Sequence, residues 1–294
     1  MKGQNRKVYP DIINHCYQRT INGKLLFYNA YDCLMFFSIF LMPDHIHHSS
    51  SAANRKALYR FTQTYTSVFA REHNVTCHEK GSVFSSPFGS VPKFGDKKAR
   101  SSFIYIDNNP VERKLVEKAE DYQWNFLAYC KSGFPFSSPI VTKKRSRAMK
   151  RAMRIVTSRN SEGKYLPYTL LKRLFDPLTK SEKKQLADYI VNTYNVLDYE
   201  AAIRFFGSYE QMIEATHSVT GSEYDLNEVF VGKSDKHYAK MTSIIMRTGR
   251  FNDIHDIFRL SPDEKMLIFD LLQKETDATL EQIAKYLHIP FKKA

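Results

Sequence analysis

The sequence predicts an α+β fold: a sheet-and-helix domain over residues 1–131, a basic connecting tract over 132–154, and a mostly α-helical region over 155–294. Three observations carry that prediction. Residues 8–131 mix short strand-like stretches with amphipathic helical patterns. Phe134-Pro-Phe-Ser-Ser-Pro139 is a turn-rich break, followed by a run of lysines and arginines. Beyond about residue 155, helix-capping signatures precede apolar runs. A chain of 294 residues is long enough for two domains, each with its own core.

Residues 30–40 suit a helix, and Leu41-Met-Pro-Asp-His-Ile-His-His48 runs on as a strand. In residues 54–72, Leu58, Phe61, Tyr65, Val68 and Phe69 recur at helical spacing and read as core rather than as a base-stacking platform. In the C-terminal region, Thr179-Lys-Ser-Glu182, Ser261-Pro-Asp-Glu264 and Thr279-Leu-Glu-Gln282 each open like a capped helix. No internal repeat or low-complexity tract is present.

Apolar content of 43% with 26% charged residues excludes a disordered chain as the default reading. The formal charge is +13, and Tyr and Phe number 18 and 21; that combination suits a polyanionic partner bearing stackable bases. The longest apolar run, residues 33–42, is ten residues interrupted by Ser38, too short to span a bilayer, and no signal peptide opens the chain. Cys16, Cys33, Cys77 and Cys130 show no Cys-x-x-Cys spacing and read as reduced thiols, so the expected location is cytoplasmic, with no membrane partner.

Two stretches carry chemistry. A strand repeats its side-chain direction every second residue, so His45 and His47 point from one face and can share one metal ion. A helix repeats every third or fourth residue, so Tyr105 and Asn109 lie on one face, a hydroxyl beside an amide oxygen. Two imidazoles, an amide oxygen and a tyrosine make a set able to attack a phosphodiester. A lone His-x-His is more often packing than a ligand pair, and a lone Tyr in Phe103-Ile-Tyr-Ile106 is more often core.

Taken together, Met42-Pro-Asp-His-Ile-His47, Tyr105-Ile-Asp-Asn-Asn-Pro-Val111 and Asp121-Tyr-Gln-Trp124 resemble the HUH endonucleases, specifically the REP-associated tyrosine transposases and their single-tyrosine relatives. The likeness covers roughly residues 8–131, where His15-Cys-Tyr-Gln-Arg19, with Leu26-Phe27-Tyr28 following, is similar to the family's first strand and its continuation, and Gly81-Ser-Val-Phe84 sits at the family's Gly-x-hydrophobic-Phe turn. It implies a ferredoxin-like HUH domain, an antiparallel sheet with helices on its face, in which Tyr105-Ile-Asp-Asn-Asn-Pro-Val111 starts a helix. Trp124, the only tryptophan, would anchor the helix that comes after Pro110. It also implies a bacterial, DNA-associated enzyme that acts on single-stranded or hairpin DNA, with a homodimer as an open assembly.

In that reading His45 and His47 hold Mg²⁺ or Mn²⁺, with Asn109 as third ligand, Mn²⁺ being the better match for imidazole. Tyr105 attacks as phenolate, giving a covalent 5′-phosphotyrosine and a free 3′ hydroxyl, so cleavage and joining are one reaction run in two directions. His48, the alternate residue, faces the other way. Lys143, Lys144, Arg145, Arg147, Lys150 and Arg151 are the candidate DNA-backbone contacts. Residues 279–287 resemble the supporting helix of a helix-turn-helix, in which Ala284 packs where a second helix crosses.

The chain departs from the family in two places. About a dozen residues are missing before the histidine strand, where Phe40 runs straight into Leu41-Met-Pro, and Ser49-Ser-Ser51 stands where apolar strand residues are usual. Serines on both faces weaken a central strand. The alternative function is therefore a transposase-derived DNA-binding protein with impaired catalysis.

Overall fold

Ile13–Arg19 forms β1, the middle strand of a three-stranded antiparallel sheet in the order β2-β1-β3, with β2 at His45–Ser50 and β3 at Gly89–Lys93. The computed structural model describes residues 7–37, 45–85, 88–141, 145–218 and 234–290, with Asn22, Phe37, His45, Ile46 and Phe126 described as backbone alone. Pairing runs Tyr17 to His47 and Arg19 to His45 on one side, and Tyr17 to Gly89 on the other. Residues 38–40 of the expected first helix and 41–44 of the histidine strand lie outside the described residues.

Strand alternation gives the sheet two different faces. Cys16 packs with Leu58 and Phe88 on one of them, beneath α2 (Arg55–Cys77). That helix begins at Asn54, whose side chain accepts from the Ala57 N–H, and buries Leu58, Tyr65 and Phe69 along one stripe. It ends at His78 in the left-handed conformation, whose N–H returns to the Asn74 and Val75 carbonyls. The opposite face is covered by α3 (Gly95–Glu112).

The sequence expectation for α3 needs correction. Tyr105-Ile-Asp-Asn-Asn-Pro-Val111 does not start a helix; it occupies the second half of one that begins at Gly95. Pro110 has no N–H, and the helix stops two residues later, the Arg113 N–H capping the Asn109 and Val111 carbonyls. Beyond Arg113 the chain makes a turn, a 3₁₀ segment Ala119–Asp121 and the short α4 (Phe126–Cys130). Trp124 sits just ahead of α4, the next α-helix after Pro110, and packs against the main core.

The main core joins α1 (Ala30–Phe37) and the middle of α2 to α5 (Arg147–Ser161), α6 (Tyr168–Phe175) and α7 (Lys180–Tyr194). Phe36 and Phe69 meet edge to face at 4.7 Å within it. From Arg147 the basic tract is helical, and Met149, Ala152 and Val156 bury its inner stripe in this same core. The chain continues through α8 (Tyr199–Arg204), α9 (Tyr209–Ser218), α10 (Lys236–Arg247), α11 (Pro262–Glu275) and α12 (Leu280–Leu287). All three expected capping boxes form, at Thr179/Glu182, Ser261/Glu264 and Thr279/Gln282. Ala284 is buried, and Tyr28 from the N-terminal half packs among Tyr286, Ile283 and Ile245. Among the described residues no helix is long and apolar enough to cross a membrane.

A buried ionic cluster ties the two ends of the chain together. Asp32 accepts from the Tyr28 N–H at 2.8 Å and lies 3.2 Å from His255 Nε2, an ion pair more than an aligned hydrogen bond; His255 Nδ1 reaches Asp253 at 2.8 Å, and Asp253 meets Lys172 at 2.7 Å. Burial opposes charge on His255, but the Asp32 and Asp253 carboxylates outweigh it and raise its pKa to about 9. The ring's contribution to stability is therefore complete below its ordinary value of 6.5 and is lost as pH rises through about 9. Asp32→Asn, which leaves this buried imidazolium short of a counter-charge, should destabilise the fold by about 3–5 kcal/mol in urea unfolding. It should also make the fall in Tm between pH 6.5 and 9 shallower than in the parent; superimposable pH profiles would show that Asp32 does not set the His255 charge.

Candidate functional site

On the α3-covered face, alternation along β1 and β2 brings His15 and Tyr17 beside His47 and Ser49. His15 Nε2 lies 2.8 Å from His47 Nδ1, and His15 Nδ1 lies 2.9 Å from the Ser102 hydroxyl of α3. Ser102 also meets the Ser49 hydroxyl at 3.0 Å. The chain Ser49–Ser102–His15–His47 fixes the orientation of the His47 ring through Nδ1, which makes Nε2 the nitrogen a metal would take. Tyr17 stacks on His47 at 6.2 Å. Across β3 its ring occupies the space over Gly89, where a Cβ would come within 2.3 Å of it, so a larger residue there would push Tyr17 off its strand neighbour.

Tyr105 closes this face. Its ring packs 5.5 Å from His47 and 5.7 Å from His15, edge-on to the former, and is 3% exposed. The structure thus brings His47 and Tyr105 together. The His45 side chain lies outside the described residues, and its backbone pairs with Arg19, two residues from His47 on the same strand. Asn109 is buried one helical turn beyond Tyr105, but its amide oxygen accepts from Arg113 Nε at 3.1 Å, and Arg113 in turn pairs with Asp235 at 2.9 Å. Among the described residues no group of three His, Cys, Asp or Glu side chains is placed to hold a metal ion. His48 points to the other face as expected, against Phe61 and Tyr65, and burial, with His47 adding to it, lowers its pKa to about 3 and keeps it neutral.

Sequence reasoning passed over His15 and Ser102. The two-residue period of β1 puts His15 and Tyr17 on one face, a signal available in the sequence; the partnership of His15 with Ser102, 87 residues away, was not.

Of the candidate DNA contacts, Lys143 and Lys144 lie outside the described residues. Arg145 is partly buried, with Nη1 at 3.4 Å from Met153 Sδ. Arg147, Lys150 and Arg151 are exposed and, with Arg154, form one stripe along α5 opposite its buried Met149, Ala152 and Val156. If that stripe lies along a phosphate backbone, the logarithm of single-strand affinity falls with log salt by about 0.7 per contact. Changing all four to Gln should flatten the measured slope by up to about 3 units, and parallel lines would identify a merely solvated face.

Comparison of the chain with protein families, with curated proteins and with solved structures finds no match in any of the three.

Proposed function

We propose that the chain is a metal-dependent endonuclease and strand transferase for single-stranded DNA, built on a ferredoxin-like HUH domain and working through Tyr105. The observation that supports this best is the contact between Tyr105 and a His47 ring whose Nδ1 is already held, the two residues coming from separate motifs 58 positions apart in the chain and meeting at 5.5 Å. Tyr105 Oη forms the new bond to phosphorus, the bond from phosphorus to the 3′ oxygen breaks, and the proton given up by the phenol is balanced by the one the 3′ oxygen gains. The freed hydroxyl can run the step backwards, because the phosphotyrosine bond conserves the phosphodiester's energy.

The His47 imidazole fits a divalent ion, and His45, two residues away on the same strand, would complete the pair. Such an ion, Mg²⁺ or Mn²⁺, would supply Lewis-acid polarisation of the scissile phosphate. Asn109 fits only if its oxygen leaves Arg113. Basic character, a net +13, supports a polyanionic substrate.

A second reading, a DNA-binding protein that keeps this shell with impaired catalysis, is favoured by three features: Tyr105 is 3% exposed, the Asn109 oxygen is engaged, and β2 is an edge strand of six residues. One experiment separates the two. A labelled single strand carrying a hairpin is incubated with the full chain and Mn²⁺, then denatured. A metal-dependent protein–DNA adduct supports the nuclease; tight binding without any adduct supports the second reading.

A further inference from the structure

Exposed apolar side chains usually stand singly on a protein surface, but Tyr9 and Phe94 meet each other there. Their rings pack edge to face at 5.0 Å although Tyr9 is 45% and Phe94 50% exposed. Such a contact covers a single ring face, so aromatic surface stays open to water. The pair stands at one end of the sheet, where Ile13 of β1 pairs with Lys93 of β3. Its backbone is clamped. The buried Asn14 side chain accepts from the Tyr9 N–H at 3.2 Å and donates to the Tyr9 carbonyl at 2.9 Å, and the Asp11 N–H reaches the Ala52 carbonyl at 3.1 Å. Phe94 lies between the last residue of β3 and the first of α3. Half-exposed rings on a fixed backbone lose little freedom when a partner stacks on them.

The surroundings are basic. Lys7, Lys97 and Lys98 are exposed within four residues of the two rings, against Asp11 and Asp96. Val8, between Lys7 and Tyr9, packs on the same small core as Tyr59, and the Arg55 guanidinium lies over the Tyr59 ring at 5.1 Å. We propose that the Tyr9–Phe94 pair is a stacking platform for an unpaired base of single-stranded DNA, with Lys7, Lys97 and Lys98 on the flanking phosphates. The identity of the polymer rests on the nuclease reading; the preference for an unpaired base rests on the rings. Every base has a π-face, so the platform holds the strand without reading its sequence. Gly95 and Tyr105 lie about 15 Å apart along α3, a distance that a strand engaged at Tyr105 spans within a few nucleotides.

The metal-free full chain is titrated with a labelled hairpin-flanked strand in which one abasic position is moved along the single-stranded part. At one position the loss of the base should weaken binding to the parent about tenfold, and Phe94→Leu should no longer respond to that position. Phe94→Leu and Tyr9→Leu keep an apolar side chain without a π-face; each should bind the intact strand about tenfold more weakly, whereas Phe94→Trp should stay within about twofold. A blunt duplex, whose bases are already stacked, should bind parent and Phe94→Leu alike. Changing Lys7, Lys97 and Lys98 to Gln should flatten the salt slope by up to about 2 units. The proposal is overturned if no abasic position weakens binding to the parent, if the abasic pattern of Phe94→Leu matches the parent's, or if both leucine variants bind undiminished. It is also overturned if Phe94→Leu turns a dimeric parent monomeric in sedimentation with DNA affinity unchanged, since the rings then seat a second copy of the chain. The abasic series on the parent does not depend on any variant folding. Failure of the nuclease reading appears elsewhere, as an absent adduct on hairpin DNA, and leaves this binding in place.

Discussion

Tyr105→Phe should eliminate the denaturation-resistant protein–DNA adduct while leaving non-covalent binding of the same strand within about twofold. The substitution removes a single oxygen. The ring, packed at 5.5 Å from His47 and 5.7 Å from His15, stays to fill the space beneath α3, so the sheet face and its hydrogen-bonded histidines are retained. The loss of one side-chain hydroxyl changes stability by about 1 kcal/mol, far too little to unfold a domain. Chemistry and binding should therefore part company: the adduct band disappears from a denaturing gel, and the retardation seen in a native gel persists. An adduct of undiminished yield would assign the nucleophile to another residue and sink the role of Tyr105. The ring's 3% exposure adds a condition, since DNA reaches Oη only where α3 or its neighbours give way.

Local signals were legible in the sequence, and long-range ones were not. Helix α2 declared itself through the spacing of Leu58, Tyr65 and Phe69, and the capping boxes at Thr179, Ser261 and Thr279 mark real helix starts. Each depends on residues three or four positions apart, which is the range over which a helix speaks for itself. The start of α3 was hidden because Gly95-Asp-Lys-Lys-Ala-Arg-Ser-Ser102 offers no apolar stripe; Ala99 and Ser102 are its buried positions, and Ser102 meets His15 of the sheet. β3 was hidden because Gly89 and Pro92 argue against a strand; the edge position tolerates Pro92, and Gly89 leaves room for the Tyr17 ring.

In α5, the density of lysine and arginine obscured a buried stripe at Met149, Ala152 and Val156 that does obey helical spacing. For the site, the period of a strand placed His47 and His48 on opposite faces correctly. Nothing in the sequence could say that Arg113 engages the Asn109 oxygen, because that depends on how α3 meets the C-terminal half.

Replacing His45 and His47 together with Ala should remove strand cleavage and the rise in Tm caused by Mn²⁺ in the same stroke. A ligand that binds only the folded chain stabilises it by mass action, about 2.7 kcal/mol at a hundredfold excess over Kd, so the two losses have one cause if these imidazoles are the ligands. A milder change isolates the orientation of His47. His15→Ala leaves both proposed ligands in place but removes the partner at 2.8 Å from His47 Nδ1, and with it the link to Ser102. Loss of such an outer partner typically costs 10–100-fold in metal affinity, so His15→Ala should shift the Mn²⁺ midpoint by roughly that factor and recover cleavage at saturating metal. The double variant should not recover at any concentration. If the double variant cleaves at the parent rate, the histidines are not ligands; if His15→Ala leaves the Mn²⁺ midpoint unmoved, the hydrogen-bonded chain through Ser102 serves the packing of α3 on the sheet and not the metal.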